Sequence, residues 1–222
     1  MSRQDLPTLF GPALGPKDGA APDSLVILAH GYGSNGEDLI NLAAQLQPEL
    51  PRTQFLAPNA PERCNGAVAG YQWFAIATLD RTERDAGTDA AAPILDAFID
   101  QKLKEYALTP DRLALIGFSQ GTMMSLHVGL RRAQPIAGIL GYSGSLAAPG
   151  RLVAEIRSRP PVQLVHGTHD NVLPFPLMFE AVGALEAAGV PVDKHLSQGV
   201  AHGIAPDGIE TGTAFLRRVL AA

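Results

Sequence analysis

Four short apolar runs, Leu25 to Ala29, Leu113 to Gly117, Ile136 to Tyr142 and Val162 to His166, show no alternation of apolar with polar residues. A strand with one wet face alternates, so continuous runs of this length bounded by turn residues mark strands buried on both faces of a parallel sheet. Two weaker candidates are Thr53 to Ala57 and Val192 to Leu196, the second polar enough to lie toward a sheet edge. Between the runs, helical spacing covers Asp38 to Leu46, Asp89 to Tyr106, Gln120 to Arg131, Phe175 to Ala188 and Ile209 to Leu220. This order predicts an α/β fold built on a single doubly wound, mostly parallel sheet with helices on both faces. In such sheets ligands bind at the carboxyl ends of the strands.

The 222 residues fit one domain, 1–222, and 46% hydrophobic content supplies a core. Residues 1–24 read as an extended lead-in with an edge strand, and Pro58 to Thr88 as a lid-like loop rich in Pro and Gly. The net charge of -5, with no basic run, argues against nucleic acid as a partner. One cysteine, Cys64, allows no internal disulfide, and no Cys/His spacing suits zinc, so neither a metal nor a cofactor is expected. Residues 1–21 lack the continuous apolar stretch of a signal peptide or span. The expectation is therefore a cytoplasmic protein without a stable membrane anchor.

The run Leu113 to Gly117 leads directly into Gly117-Phe118-Ser119-Gln120-Gly121 and then a helical stretch. Gly-x-Ser-x-Gly between strand and helix forms a sharp turn that presents the serine and leaves backbone N–H groups, above all that of Gln120, facing a developing oxyanion. Serine alone is a weak nucleophile, so the reading depends on a base and an acid elsewhere. Val162 to His166 is followed by Gly167-Thr168-His169-Asp170, and Val192 to Leu196 by a glycine-flanked loop containing His202. The order Ser119, Asp170, His202 is nucleophile, acid, base. Of six histidines, His30, His166 and His195 end or lie within strands, His169 adjoins the acid, and His127 lies over two helical turns from Ser119. Asp193 is the alternative acid, disfavoured by its place in a strand near the base. His30-Gly31-Tyr32-Gly33 supplies a second backbone donor, the Tyr32 N–H, and has neither the glycine spacing nor the lysine of a phosphate cradle.

The chain resembles the phospholipase/carboxylesterase family of α/β-hydrolases, which includes acyl-protein thioesterases and small bacterial esterases. The resemblance rests on Leu28-Ala29-His30-Gly31-Tyr32-Gly33 with Asp38, Ala57-Pro58-Asn59-Ala60-Pro61, Gln72-Trp73-Phe74, the serine turn, His166 through Pro174, and His202-Gly203. It implies a triad of Ser119, Asp170 and His202, an oxyanion hole of Tyr32 and Gln120, and Trp73 and Phe74 beside an acyl groove under a mobile loop. One departure is Thr122, where the family pattern has a second glycine; it either narrows the groove or repacks the helix start.

The groove is expected to be lined by Leu173, Phe175, Trp73, Phe74 and Met124, with Met124 and Phe175 equally consistent with core positions. Trp73, in a glycine-rich loop, reads as a pocket wall. The substrate is then a small-molecule or lipid ester, with a thioester or lysophospholipid as variants, and an apolar groove is compatible with a homodimer. Competing readings are another serine hydrolase, such as a lactonase, peptidase or polyester depolymerase, and a non-catalytic protein of the same fold that binds a hydrophobic ligand.

Overall fold

The computed structural model describes residues 6–65 and 69–221. Residues 1–5 of the expected lead-in, residues 66–68 of the expected lid and residue 222 lie outside the described residues. Seven strands form one sheet: β1 (Ala13–Leu14), β2 (Ser24–Ala29), β3 (Thr53–Leu56), β6 (Leu113–Phe118), β7 (Gly138–Tyr142), β8 (Val162–Gly167) and β9 (Val192–Ser197). Their order is β1-β3-β2-β6-β7-β8-β9, and every pair is parallel except β1 with β3. The lead-in thus supplies the edge strand that its composition suggested. A short antiparallel hairpin, β4 (Glu62–Arg63) with β5 (Tyr71–Gln72), stands apart.

The pleat explains the unalternated runs. Along β2, Leu25, Ile27 and Ala29 join one buried cluster, while Val26 and Leu28 join the other. The first cluster is covered by α2 (Arg81–Glu105), α3 (Gln120–Arg131) and α5 (Pro176–Ala187), the second by α1 (Gly36–Leu46) and α6 (Pro206–Leu220). The remaining short helix, α4 (Leu152–Glu155), precedes β8. β2 leads outward to β3 on one side, whereas the chain then crosses to β6 on the other. The two neighbouring carboxyl ends, of β2 and β6, flank this reversal, which is where a doubly wound sheet opens a crevice.

The expected lid is shorter and better anchored than its composition suggested. Helix α2 begins at Arg81, eight residues before Asp89, because Asp80 caps it and Glu83 ties the preceding loop to its first turn. The Asp80 carboxylate accepts the Glu83 N–H at 2.9 Å. The Glu83 carboxylate accepts the N–H groups of Ala77, Thr78 and Leu79 at 2.6, 2.9 and 2.6 Å. The charged run read as loop is a helix start. Gly87 is required inside it: a Cβ there would come within 2.3 Å of the Phe74 ring. The hairpin is tied to the turn after β2 by backbone bonds from Gly33 N–H to Tyr71 O, 2.9 Å, and from Tyr71 N–H to Ser34 O, 2.8 Å.

Candidate active site

Strand β6 and helix α3 meet at Ser119, whose backbone sits at φ 54°, ψ −114°. A non-glycine residue held there stores about 1–3 kcal/mol of strain, and its surroundings must enforce it. The Ser119 N–H donates to Tyr142 O at 2.9 Å, and Ser119 O accepts the Thr122 N–H at 3.0 Å. Both glycines of the motif are sterically required. A Cβ on Gly117 would lie 2.4 Å from Gly121 O, and one on Gly121 would lie 1.8 Å from Ala29 O. The turn therefore closes only without side chains at these positions, and it closes against the end of β2.

Thr122 lies beneath this turn, buried, with its hydroxyl donating to the same Tyr142 carbonyl at 2.8 Å. The room for it comes from glycines: a Cβ on Gly144 would reach within 2.3 Å of the Thr122 Cβ, and one on Gly141 within 2.6 Å of its Cγ2. Of the two readings of Thr122, the structure supports repacking of the helix start.

At the carboxyl end of β8, Asp170 is buried and its carboxylate is fully engaged. Oδ1 accepts the N–H groups of Val172 and Leu173 at 2.9 and 2.8 Å, while Oδ2 accepts His202 Nδ1–H at 2.7 Å. His166 Nε2, which donates to Leu173 O at 2.7 Å, lies 3.2 Å from the same Oδ2. Burial alone would raise the Asp170 pKa. The hydrogen bonds from His202, Leu173 and Val172 outweigh it and hold the pKa below the ordinary carboxylate value. The loop after β9 is strapped onto this turn, with His169 N–H donating to Val200 O and Gly199 N–H to the Thr168 hydroxyl, both at 2.9 Å. His202 then lies with its ring 5.0 Å from that of Phe118, the residue before the serine. Donation from Nδ1 leaves Nε2 as the basic nitrogen. The alternative acid, Asp193, points elsewhere and pairs with Arg218 at 3.0 Å on the surface.

On the other side of Ser119 lies the turn after β2, so close that a Cβ on Gly31 would sit 3.2 Å from the Ser119 Cβ. Ala60 N–H donates to His30 Nε2 at 2.9 Å, so the His30 proton resides on Nδ1, which donates to Gly31 O at 2.7 Å. Sequence reasoning placed His30 at a strand end, opening the turn that supplies the Tyr32 N–H, without a role for its ring. The signal it could have used is the Asn59-Ala60 pair, since Asn59 also accepts the Gly36 N–H at 2.8 Å at the start of α1.

The expected groove wall needs correction. Trp73, Phe74 and Leu173 are only 2, 6 and 1% exposed and pack into the core cluster, as does Met124. Trp73 is fixed at both ends: its indole N–H donates to His30 O at 3.0 Å and its backbone N–H to Gln120 Oε1 at 2.8 Å. Phe74 lies under Gly87 of α2, and Leu173 holds the acid through its backbone. A loop position alone did not reveal these long-range partners. Phe175 is half-buried, its ring 6.2 Å from that of the exposed Phe179, so accessible apolar surface lies at the start of α5, a few residues after Asp170. Among the described residues, no group of three or more His, Cys, Asp or Glu side chains could hold a metal ion.

The phospholipase/carboxylesterase family profile matches residues 17–220, and the chain belongs to that family of α/β-hydrolases. It is similar to acyl-protein thioesterase 1 of Saccharomyces cerevisiae, 28% identical over 212 residues covering 89% of this chain and 93% of that protein. It is also similar to esterase YpfH of Escherichia coli, 26% identical over 180 residues covering 81% of this chain and 76% of the relative. Among solved structures, that of esterase PE8 superposes with a TM-score of 0.92 at 45% identity, covering 96% of this chain and all of that one. The protein is a hydrolase of this fold.

Proposed function

We propose that this chain hydrolyses carboxylic esters through an acyl-enzyme on Ser119. The observation that carries the reading is the buried Asp170 carboxylate, bonded to His202 at 2.7 Å, with the His202 ring 5.0 Å from that of Phe118, the residue before a serine held in a strained turn. In this reading Asp170 fixes the imidazole tautomer, and His202 Nε2 takes the Ser119 proton as Oγ attacks the carbonyl carbon. The tetrahedral oxyanion is met by the N–H groups of Tyr32 and Gln120. His202 then delivers its proton to the leaving oxygen, and the C–O bond breaks to leave the acyl group on Ser119. Water, deprotonated by the same imidazole, releases the acid and restores the serine.

Thioesters suit the same machinery, since a thiolate departs more easily than an alkoxide, and several relatives carry the name acyl-protein thioesterase. We read the substrate as a small-molecule or lipid ester with an apolar acyl part, accepted beside Phe175 and Phe179. A cytoplasmic site of action fits the unpaired Cys64. The test is kcat/KM across p-nitrophenyl esters of increasing acyl length, and across matched thioesters, with Ser119→Ala as the blank. Turnover that requires Ser119 supports the reading; equal rates with and without Ser119 refute it. Efficiency that peaks at short acyl chains marks a general esterase, and efficiency that rises into long chains marks a lipid- or acyl-protein-directed enzyme.

A further inference from the structure

The two candidate oxyanion donors come from different parts of the chain, Tyr32 after β2 and Gln120 after β6, yet they must converge on one oxygen. A donor displaced by an ångström loses most of its value, so something must fix their relative position. A continuous set of hydrogen bonds joins them. His30 Nδ1–H donates to Gly31 O at 2.7 Å, and Ser34 N–H reaches the same carbonyl at 3.3 Å. The Gly31–Tyr32 peptide is trans, so its N–H points opposite to its C=O. Pinning Gly31 O on the imidazole therefore sets the direction of the Tyr32 N–H.

From His30 the path continues through Trp73. The indole N–H donates to His30 O at 3.0 Å, beside the point where Gly121 passes so close that a Cβ would meet that carbonyl at 2.8 Å. The Trp73 backbone N–H donates to Gln120 Oε1 at 2.8 Å, and Gln120 Nε2 donates to Phe74 O at 2.8 Å. Both ends of the Gln120 carboxamide are held by consecutive residues, so the segment 73–74 grips the residue whose backbone N–H is the second donor. Trp73 and Gln120 are both buried, which makes each bond costly to leave unmade.

Resting on the Ser119 reading, we infer that Trp73 and His30 are positioning residues, a strut that holds the Tyr32 and Gln120 N–H groups in register around the oxyanion and contributes no wall to the acyl site. Trp73 then influences every substrate equally, because it acts on the carbonyl oxygen that all esters share.

The test compares Trp73→Phe, which keeps an aromatic ring and removes the indole donor, with wild type across p-nitrophenyl esters from acetate to decanoate. A phosphonate that mimics the tetrahedral oxyanion and the product carboxylates serve as inhibitors. The expected result is a fall in kcat of about 10- to 100-fold by the same factor at every acyl length, with KM unchanged. Affinity for the phosphonate falls in parallel, and product inhibition is unaltered. A second variant, His30→Asn, retains a donor near Gly31 O and recovers part of the kcat that His30→Leu loses. It carries the test if the tryptophan variant does not fold. The effects of Trp73→Phe and His30→Leu are non-additive, because they act on the consecutive His30–Gly31 and Gly31–Tyr32 peptides that orient one N–H. A changed acyl-length profile with an unchanged acetate rate makes Trp73 a groove wall and overturns the inference, as does an unaltered kcat in both Trp73→Phe and His30→Leu. Absence of Ser119-dependent turnover in the wild type is a separate result: it refutes the reading of the site itself.

Discussion

Two histidine–aspartate contacts, the half-buried His202 with Asp170 and the buried His127 with Asp89, have opposite character. At the carboxyl ends of β8 and β9, His202 Nδ1 meets Asp170 Oδ2 at 2.7 Å. Between α2 and α3, His127 Nε2 lies 3.3 Å from Asp89 Oδ1, beside a cavity of about 590 Å³. The residue types are the same, and the neighbours decide. Asp170 receives two backbone N–H groups and the imidazole of His202, with His166 Nε2 3.2 Å away, and among the described residues no arginine or lysine pairs with it. Its charge remains available to stabilise an imidazolium. Asp89 is held by both carboxylate oxygens on Arg151, at 3.0 and 2.7 Å, so a cation already balances it. Burial and the nearby Arg131 guanidinium push His127 down to about 4. His127 is thereby held toward its neutral form, over two helical turns from Ser119. A histidine–aspartate contact therefore says little about chemistry until the remaining bonds of the carboxylate are known.

Breaking the two pairs separates them most sharply. Asp170→Asn presents an amide to His202 and disfavours the tautomer with Nε2 free. Its kcat should fall by about 10⁴-fold, the loss expected when the acid of such a triad is neutralised. Asp89→Asn should leave kcat at the wild-type value. Steady-state kinetics on a p-nitrophenyl ester, with circular dichroism confirming both folds, checks the contrast.

The pairs also differ in how they respond to acid. The folded pKa of His127 lies near 4, below the 6.5 of the free side chain, so between these values the unfolded chain binds a proton that the native protein excludes. Stability is complete above pH 6.5 and declines as pH falls toward 4, by on the order of 3 kcal/mol at most. Asp170 acts lower. Its pKa is depressed below the ordinary carboxylate value, so its contribution is complete above that value and is lost as pH falls through the folded pKa. Denaturant titrations of wild type and His127→Gln should give a flatter profile between pH 6.5 and 4 in the variant, while both continue to lose stability in stronger acid.

A smaller effect is expected when the cation beside His127 is removed. Arg131→Gln deletes a repulsive charge, and the His127 pKa should move upward from about 4, as read by the NMR titration of its ring protons. The same substitution should leave the pH dependence of kcat/KM unchanged, which separates this histidine from His202. Smallest of all, Thr122→Val removes the second hydrogen bond to Tyr142 O while keeping the shape under the elbow. It should cost about 1 kcal/mol in denaturant unfolding.

Much of this was legible in the chain because the signals are local. Unalternated apolar runs gave β2, β6, β7 and β8, and Gly117-Phe118-Ser119-Gln120-Gly121 between strand and helix marked the elbow. The loops holding Asp170 and His202 could be placed because each follows a strand end. What could not be read depends on distant partners. Trp73 sits in a loop by sequence and is buried by bonds to residues 43 and 47 positions away. Leu173 looked like groove and serves the acid through its backbone. Helix α2 was cut short because its first two turns are polar and contain Gly87, whose reason is the Phe74 ring. Phe74, in turn, looked accessible only because the helix over it was not seen.

The central claim is that the strained serine beside the Asp170–His202 pair carries the acyl group. Acid-quenching the enzyme during turnover of a p-nitrophenyl ester, followed by intact mass and peptide mapping, tests it directly. The account predicts one acyl group per chain, located on the peptide containing Ser119 and absent from Ser119→Ala. Acylation confined to another residue, such as Cys64, or Ser119→Ala turning over at the wild-type rate, would contradict it.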